Sequence, residues 1–291
     1  MNALVNEINQ TRIEPGSLQI WWIGQEGFVF KSPRQIIYID PYLSTYAEKI
    51  TRGKPNEHVR IKPAPMKPED VNHADIVLCT HDHADHIDPE AIPVIAAQSP
   101  RAHFIVPECA HDTMLGFGID DGRIHTMKGD DELRLKGPRF AGTKEIYIYA
   151  VPAKHEQFDK HPQKGYPYLS YVINIDGITI FHAGDTIPYR GQVECLKKHK
   201  IDIAFLPING RDEFRHSLDF EGNFTCEEAV QFALDIDARL TIPMHYDMFT
   251  LNTADINEFR RIADRHSLRY LIMDYAGSIH FSKDTKDGTE Q

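Results

Sequence analysis

The sequence predicts an α/β protein, and three observations carry that expectation. Short apolar runs recur along all 291 residues, with helix-like segments between them. Four of these runs end abruptly in side chains that bind metals: ahead of His81, and at His155, Asp185 and His245. Composition is that of an ordinary globular chain, 41% hydrophobic and 26% charged, long enough to bury a substantial core.

Taken in order, residues 1–15 read as an N-terminal extension, followed by strands at Leu18–Ile23, Phe28–Lys31 and Ile36–Asp40. Gly24/Gly27 and Ser32-Pro33 supply the breaks between them. From Tyr42 to Pro68 the pattern dissolves into a long loop rich in Lys, Arg and Pro, and loops of that length usually carry function. The segment around Arg52–Arg60 is a candidate lid. The apolar run Asp75–Cys79 then empties into the histidine-rich segment. Pro89–Gln98 reads as a helix, His103–Val106 as a strand, Ala110–Leu115 as a short helix and Ile146–Val151 as a strand.

Leu169–Ile175 and Ile178–His182 form a hairpin across Asp176-Gly177, a favoured two-residue turn. A helix near Val193–His199 and a strand at Ile203–Pro207 follow. Thr225 with Glu228 is a capping box that opens the helix Cys226–Asp235. Leu240–Pro243, a helix at Ile256–Arg265, and strands near Tyr270–Met273 and Ser278–Phe281 close the chain ahead of a polar tail, 283–291, expected to be unstructured. We read one domain across 1–291.

Net charge is −11, which argues against a broad nucleic-acid footprint. No apolar run is long enough to cross a bilayer, and Met-Asn-Ala-Leu-Val-Asn-Glu lacks a basic region followed by an apolar core, so a cytoplasmic location without membrane attachment is expected. Cys79, Cys109, Cys195 and Cys226 form no Cys-x-x-Cys pair and read as free thiols rather than metal ligands.

The chemistry concentrates in Thr80-His81-Asp82-His83-Ala84-Asp85-His86-Ile87-Asp88. Imidazole nitrogens and carboxylate oxygens suit divalent ions, and His81, His83, Asp85 and His86 are more than one tetrahedral ion conveniently uses. The loop therefore points to two ions, with His81 and His83 on one and Asp85 and His86 on the other.

In this order His81, His83, Asp85 and His86, then His155, then Gly184-Asp185, then His245, resemble the ligand set of the metallo-β-lactamase superfamily. The resemblance spans about Leu18 to Phe281. It implies an αββα sandwich with a dinuclear site at the sheet edge: His81, His83 and His155 on the first ion, Asp85, His86 and His245 on the second, and Asp185 bridging. Leu206-Pro207-Ile208-Asn209-Gly210-Arg211-Asp212, Gly222-Asn223-Phe224-Thr225, Pro243-Met244-His245-Tyr246-Asp247, Trp21-Trp22-Ile23-Gly24 and Ile39-Asp40-Pro41-Tyr42-Leu43-Ser44 resemble the L-ascorbate-6-phosphate lactonase group within it. Flavodiiron members place a Glu where this chain has His83, and zinc β-lactamases lack the bridging carboxylate, so neither chemistry is expected.

A divalent ion brings the pKa of bound water to about 7. The lactonase resemblance then implies attack of that hydroxide on the carbonyl of a small phosphorylated sugar lactone, with Zn2+ or Mn2+ as the two ions. Asp85, Asp185 and His245 are the expected catalytic side chains, Asp85 also orienting the nucleophile or taking its proton. Asn209, Arg211, Asp212, Asn223 and Tyr246 are expected to touch substrate, with Arg211 gripping its phosphate in a bidentate fashion; Lys154 and Tyr189 are weaker candidates. Asp40 and Asp88 are expected behind ligand imidazoles, and His182 behind Asp185. The resemblance also suggests a homo-oligomer. The competing readings are a phospholipase D-like phosphodiesterase and a non-catalytic, metal-stabilised sensor.

Overall fold

Side-chain alternation in β1 (Ser17–Gly24) sends Leu18, Ile20 and Trp22 to one face and Trp21 and Ile23 to the other, and both faces are buried. A strand covered on both sides belongs to the middle of a layered structure. The computed structural model of the protein, which describes residues 2–135, 146–283 and 289–290, places β1 there.

β2 (Gly27–Lys31) and β3 (Ile36–Ile39) continue antiparallel from β1, and β4 (Ile76–Leu78), β5 (His103–Pro107) and β6 (Ile124–Met127) add in parallel. The second sheet runs through β7 (Glu132–Leu135), β8 (Ile146–Pro152), β9 (Leu169–Ile175), β10 (Ile178–His182), β11 (Ile203–Pro207) and β12 (Leu240–Met244). β13 (Ser278–Ser282) and β14 (Thr289–Glu290) return to the first sheet beside β1. The sheet orders are thus β14-β13-β1-β2-β3-β4-β5-β6 and β12-β11-β10-β9-β8-β7.

The main core joins Leu18, Ile20, Phe28 and Phe30 of the first sheet to Ile148, Ile173, Ile180 and Phe205 of the second. On the outer face of the first sheet, Trp21, Val29, Tyr38 and Phe104 pack against α1 (Ala3–Gln10) and α3 (Ile92–Gln98). α7 (Cys226–Asp235) and α8 (Ile256–Arg265) bury Ala229, Phe232, Phe259 and Ile262 against the second sheet. The architecture is the αββα sandwich. The short helices α2 (Tyr46–Thr51), α4 (His111–Gly116), α5 (Gln192–Leu196) and α6 (Glu213–Ser217) lie in the connections.

Several expectations need correction. Within the N-terminal extension, residues 3–10 form α1: Asn2 caps it, Leu4, Val5 and Ile8 are buried, and Glu7 accepts from the Trp21 indole at 2.8 Å. The long loop contains α2. Tyr270–Met273 forms no strand, because Tyr270 makes a single bridge to Thr241 and the ladder goes no further. The tail contributes β14; its residues 284–288 and 291 lie outside the described residues. No described helix is long and apolar enough to cross a membrane.

Candidate metal centre

The sheet edge where β4, β8, β10 and β12 end is where the candidate ligands meet. Thr80–Asp88 follows β4, His155 follows β8, Asp185 follows β10, and His245 follows β12. Strand ends fix loops in place, so residues far apart in sequence converge.

Asp185 is the hub. Its Oδ2 lies 3.6 Å from His81 Nε2, 3.6 Å from His86 Nε2 and 3.5 Å from His155 Nε2, and its Oδ1 lies 3.3 Å from His245 Nε2. Asp85 Oδ2 lies 3.7 Å from His86 Nε2. Ligand atoms of His81, His83 and Asp185 lie within 4.8 Å of one another, and so do those of Asp85, His86 and His245. Gly184 makes the approach possible. Its φ is +58°, and a Cβ there would stand 2.9 Å from Thr80 Cβ and 3.1 Å from the Leu169 carbonyl.

Charge in this buried cluster is arranged for a cation. Burial lowers the pKa of His81 well below the usual imidazole value, that of His155 to about 4, and those of His83 and His245 to a lesser degree, so these rings are neutral, as metal ligands must be. Burial alone would raise Asp185, but His245, His86 and His155 hold its carboxyl well below the ordinary range. Burial would likewise lower His86, yet Asp85, Asp185 and Asp40 push it well above. Positive charge is what these carboxylates demand. His81 Nε2 and His86 Nε2 are buried without a hydrogen-bond partner, an arrangement that a bound ion resolves. The donor set fits divalent ions.

Asp40 orients two of these rings. Its Oδ2 lies 2.9 Å from His86 Nδ1 and accepts from the Thr80 hydroxyl at 2.7 Å. That hydroxyl in turn lies 3.0 Å from His81 Nδ1. Hydrogen bonding at Nδ1 leaves Nε2 of both rings facing Asp185.

The other expected supports have different duties. Asp88 accepts from the backbone of Leu43 and Ser44 and from the Ser44 hydroxyl, and caps Glu90 and Ala91; it ties two loops together rather than backing an imidazole. His182 Nε2 donates to the Glu26 carbonyl at 2.9 Å and its ring packs between Phe28 and Phe205, so it does not brace Asp185.

The expected substrate contacts are largely spent within the protein. Arg211 forms a two-pronged pair with Glu228, both contacts at 2.6 Å, and donates to the Asn223 carbonyl, so its guanidinium is not free to grip a phosphate. Asp212 caps α6 and pairs with Arg215 at 2.6 Å. Asn223 donates to Asp185 Oδ1 at 2.7 Å and so holds the hub. Asn209 donates to Asn252 Oδ1 at 2.8 Å, and Tyr246 is buried against Trp22. Tyr189 donates to the Pro152 carbonyl, and the backbone N–H of Lys154 donates to Thr186; neither side chain lines the cleft.

That cleft, ≈ 750 Å³, opens over His83, Asp85, His155 and Asp185. Thr51, Asn56 and His58 of the long loop form part of its wall. Among the described residues that line it there is no lysine or arginine; its carboxylates are Asp82, Asp85, Glu156, Asp185, Asp219 and Glu221. Sequence reasoning passed over Thr80, Gln25, Asn252 and Glu221. Glu221 Oε2 lies 3.2 Å from His155 Nε2 and 3.8 Å from His83 Nε2. A lone Glu or Gln in a loop carries no spacing signal, although Gln25 does sit in the turn Gly24-Gln25-Glu26-Gly27.

A sequence profile of the β-lactamase superfamily domain matches residues 35–246. The chain belongs to the metallo-β-lactamase superfamily. Within this superfamily it is similar to a metal-dependent hydrolase (UPF0173) of Methanosarcina mazei, 26% identical over 90% of this chain and 98% of the relative. It is also similar to a probable L-ascorbate-6-phosphate lactonase of Escherichia fergusonii, 24% identical over 88% of this chain and 77% of the relative. A solved metallo hydrolase of the hyperthermophilic archaeon Ignicoccus hospitalis superposes with a TM-score of 0.66 at 23% identity, covering 91% of this chain and 99% of that one. As a superfamily member with these relatives, the protein is a metal-dependent hydrolase.

Proposed function

We propose that the protein opens small lactones, and that His81, His83 and His155 on one side and Asp85, His86 and His245 on the other hold two divalent ions across Asp185. One observation carries this reading: the unpartnered Nε2 atoms of His81 and His86 converge on a buried carboxylate at the floor of an open cleft. A closed structural site would leave no room for a substrate beside the ligands. The similarity to a lactonase supports the choice of ester chemistry.

Bound ions would supply a water acidified to near neutrality and an electrophile for the carbonyl oxygen. The chain's own groups do the rest. Asp85, an ionised carboxylate lining the cleft, orients the attacking water and accepts its proton. Asn223 keeps Asp185 from turning away. Burial and the nearby Glu156 and Asp185 raise the Glu221 carboxyl, which fits it to hand a proton to the departing ring oxygen. The new bond joins the water oxygen to the acyl carbon, the ring C–O bond breaks, and the products are a carboxylate and an alcohol.

The cleft walls also favour an uncharged substrate over a phosphorylated one. The described residues that line them include no lysine or arginine, and Arg211 is committed to Glu228. Assays of the metal-loaded protein on L-ascorbate 6-phosphate and on uncharged sugar lactones test the proposal. The expected result is metal-dependent ring opening with the higher kcat/KM on the uncharged lactones. A tenfold preference for the phosphorylated compound would overturn the substrate assignment, and inert lactones alongside turnover of bis-p-nitrophenyl phosphate would overturn the lactonase reading.

A further inference from the structure

Gln25 is fully buried, and its amide faces the candidate ligands of the second ion. Nε2 lies 2.8 Å from Asp85 Oδ2 and 3.0 Å from His245 Nε2. Oε1 is buried with no hydrogen-bond partner. Leaving a buried acceptor unpaired costs about 1–3 kcal/mol. The nearby His86 Nε2 is buried and unpaired as well.

A half-turn of the amide exchanges its oxygen and nitrogen with little change of shape. It would bring Oε1 to the place now held by Nε2, facing Asp85 and His245. An N–H group there does for the two acceptors what a cation would do, but it repels a cation. A carbonyl oxygen attracts one.

The backbone is built to keep this side chain aimed. Gln25 has φ +53°, a conformation that non-glycine residues rarely adopt and that costs on the order of 1–3 kcal/mol. Its carbonyl is held from two sides, by the Trp22 indole at 3.1 Å and by the His245 backbone N–H at 3.1 Å. The same residue thus grips the His245 backbone and faces the His245 ring.

We propose that Gln25 is a ligand of the second ion through Oε1, and that this oxygen raises the Mn2+-to-Zn2+ affinity ratio of the second position above that of the first. The inference rests on the reading that Asp85, His86 and His245 hold an ion. With Gln25 included, the second position offers oxygens from Asp85, Asp185 and Gln25 beside the imidazoles of His86 and His245. The first offers the imidazoles of His81, His83 and His155 with Asp185 as its carboxylate. Carbonyl and carboxylate oxygens in higher coordination suit Mn2+, whereas nitrogen-rich four-coordinate sets suit Zn2+. The competing assignment makes Gln25 a brace that donates to Asp85, as Asn223 donates to Asp185.

Titration of the full-length protein with Mn2+, followed by electron paramagnetic resonance, and with Zn2+ in competition, separates the two. Gln25→Glu keeps a side-chain oxygen and loses the N–H donor; Gln25→Met keeps the volume and loses both. Thermal melts establish that each variant is folded. Wild type is expected to take two Mn2+ ions, and Gln25→Glu to retain both. Gln25→Met is expected to lose at least tenfold in affinity for the second ion with the first unchanged. An affinity for the second ion within twofold of wild type in Gln25→Met overturns the proposal, and so does a Gln25→Glu variant as weak as Gln25→Met. If Gln25→Met does not fold, comparison of Gln25→Glu with wild type decides alone. A wild-type protein that binds a single Mn2+ ion overturns the underlying two-ion reading itself.

Discussion

Asp40 Oδ2 stands 2.9 Å from His86 Nδ1, and both groups are buried. This contact fixes which nitrogen of His86 faces the metal centre, and through Thr80 the same carboxylate reaches His81. One side chain behind the centre therefore sets the aim of two candidate ligands, His86 and His81. Replacing Asp40 with Asn leaves volume almost unchanged but removes the charge that holds His86. Loss of such a support typically costs 10–100-fold in metal affinity. We expect Asp40→Asn to keep its fold and to lose about that much, measured by metal analysis after dialysis against graded chelator; affinity equal to wild type would show that Asp40 has no orienting role.

Gly184 makes a close backbone approach at the centre. A Cβ there meets Thr80 and the Leu169 carbonyl, and the positive φ adds strain. Gly184→Ala is expected to lose about 2–4 kcal/mol of stability in denaturant unfolding. Metal affinity should fall with it, because the displaced neighbour is Thr80.

Arg211 sets the architecture of its loop rather than contacting substrate. Arg211→Met breaks the pair with Glu228, whose partners are each about one-third exposed, and is expected to cost about 1 kcal/mol. The KM for uncharged lactones should stay within about twofold of wild type. A tenfold rise in KM confined to phosphorylated substrates would instead restore Arg211 as an anion grip.

Acid should destabilise the fold through His73, away from the metal centre. Its Nε2 lies 2.8 Å from the Tyr38 hydroxyl, and burial, with Lys31 adding to it, lowers its pKa to about 4. In the unfolded chain this imidazole binds a proton below about 6.5. Between these values the unfolded state holds the extra proton, so stability is full above pH 6.5 and is lost as pH falls towards 4. The loss reaches at most about 3 kcal/mol, and less with partial exposure. Urea unfolding of wild type and His73→Gln at pH 7 and pH 4.5 checks this: the variant should show the shallower decline.

Much of this was legible in the sequence because side-chain period reports burial directly. The hairpin across Asp176-Gly177 and the helices Cys226–Asp235 and Ile256–Arg265 fall where turn chemistry, capping and apolar spacing place them. Segments that owe their form to tertiary contact were not legible. β6 and β7 are short and only partly buried, and α6 depends on an Asp212 cap that read as a substrate contact. The convergence of the histidines and aspartates could be anticipated, since each follows an apolar strand. The partners of Arg211, Asn223 and His182 could not. A sequence shows that a guanidinium is present, but not that Glu228, seventeen residues on, reaches it before any ligand does.

Crystals of protein loaded with Mn2+ or Co2+, with data collected at the metal absorption edge, test the central claim most directly. Two anomalous peaks are expected to flank the Asp185 carboxylate, one among His81, His83 and His155 and the other among Asp85, His86 and His245. A single peak remote from Asp185, or none with metal in excess, would contradict that claim.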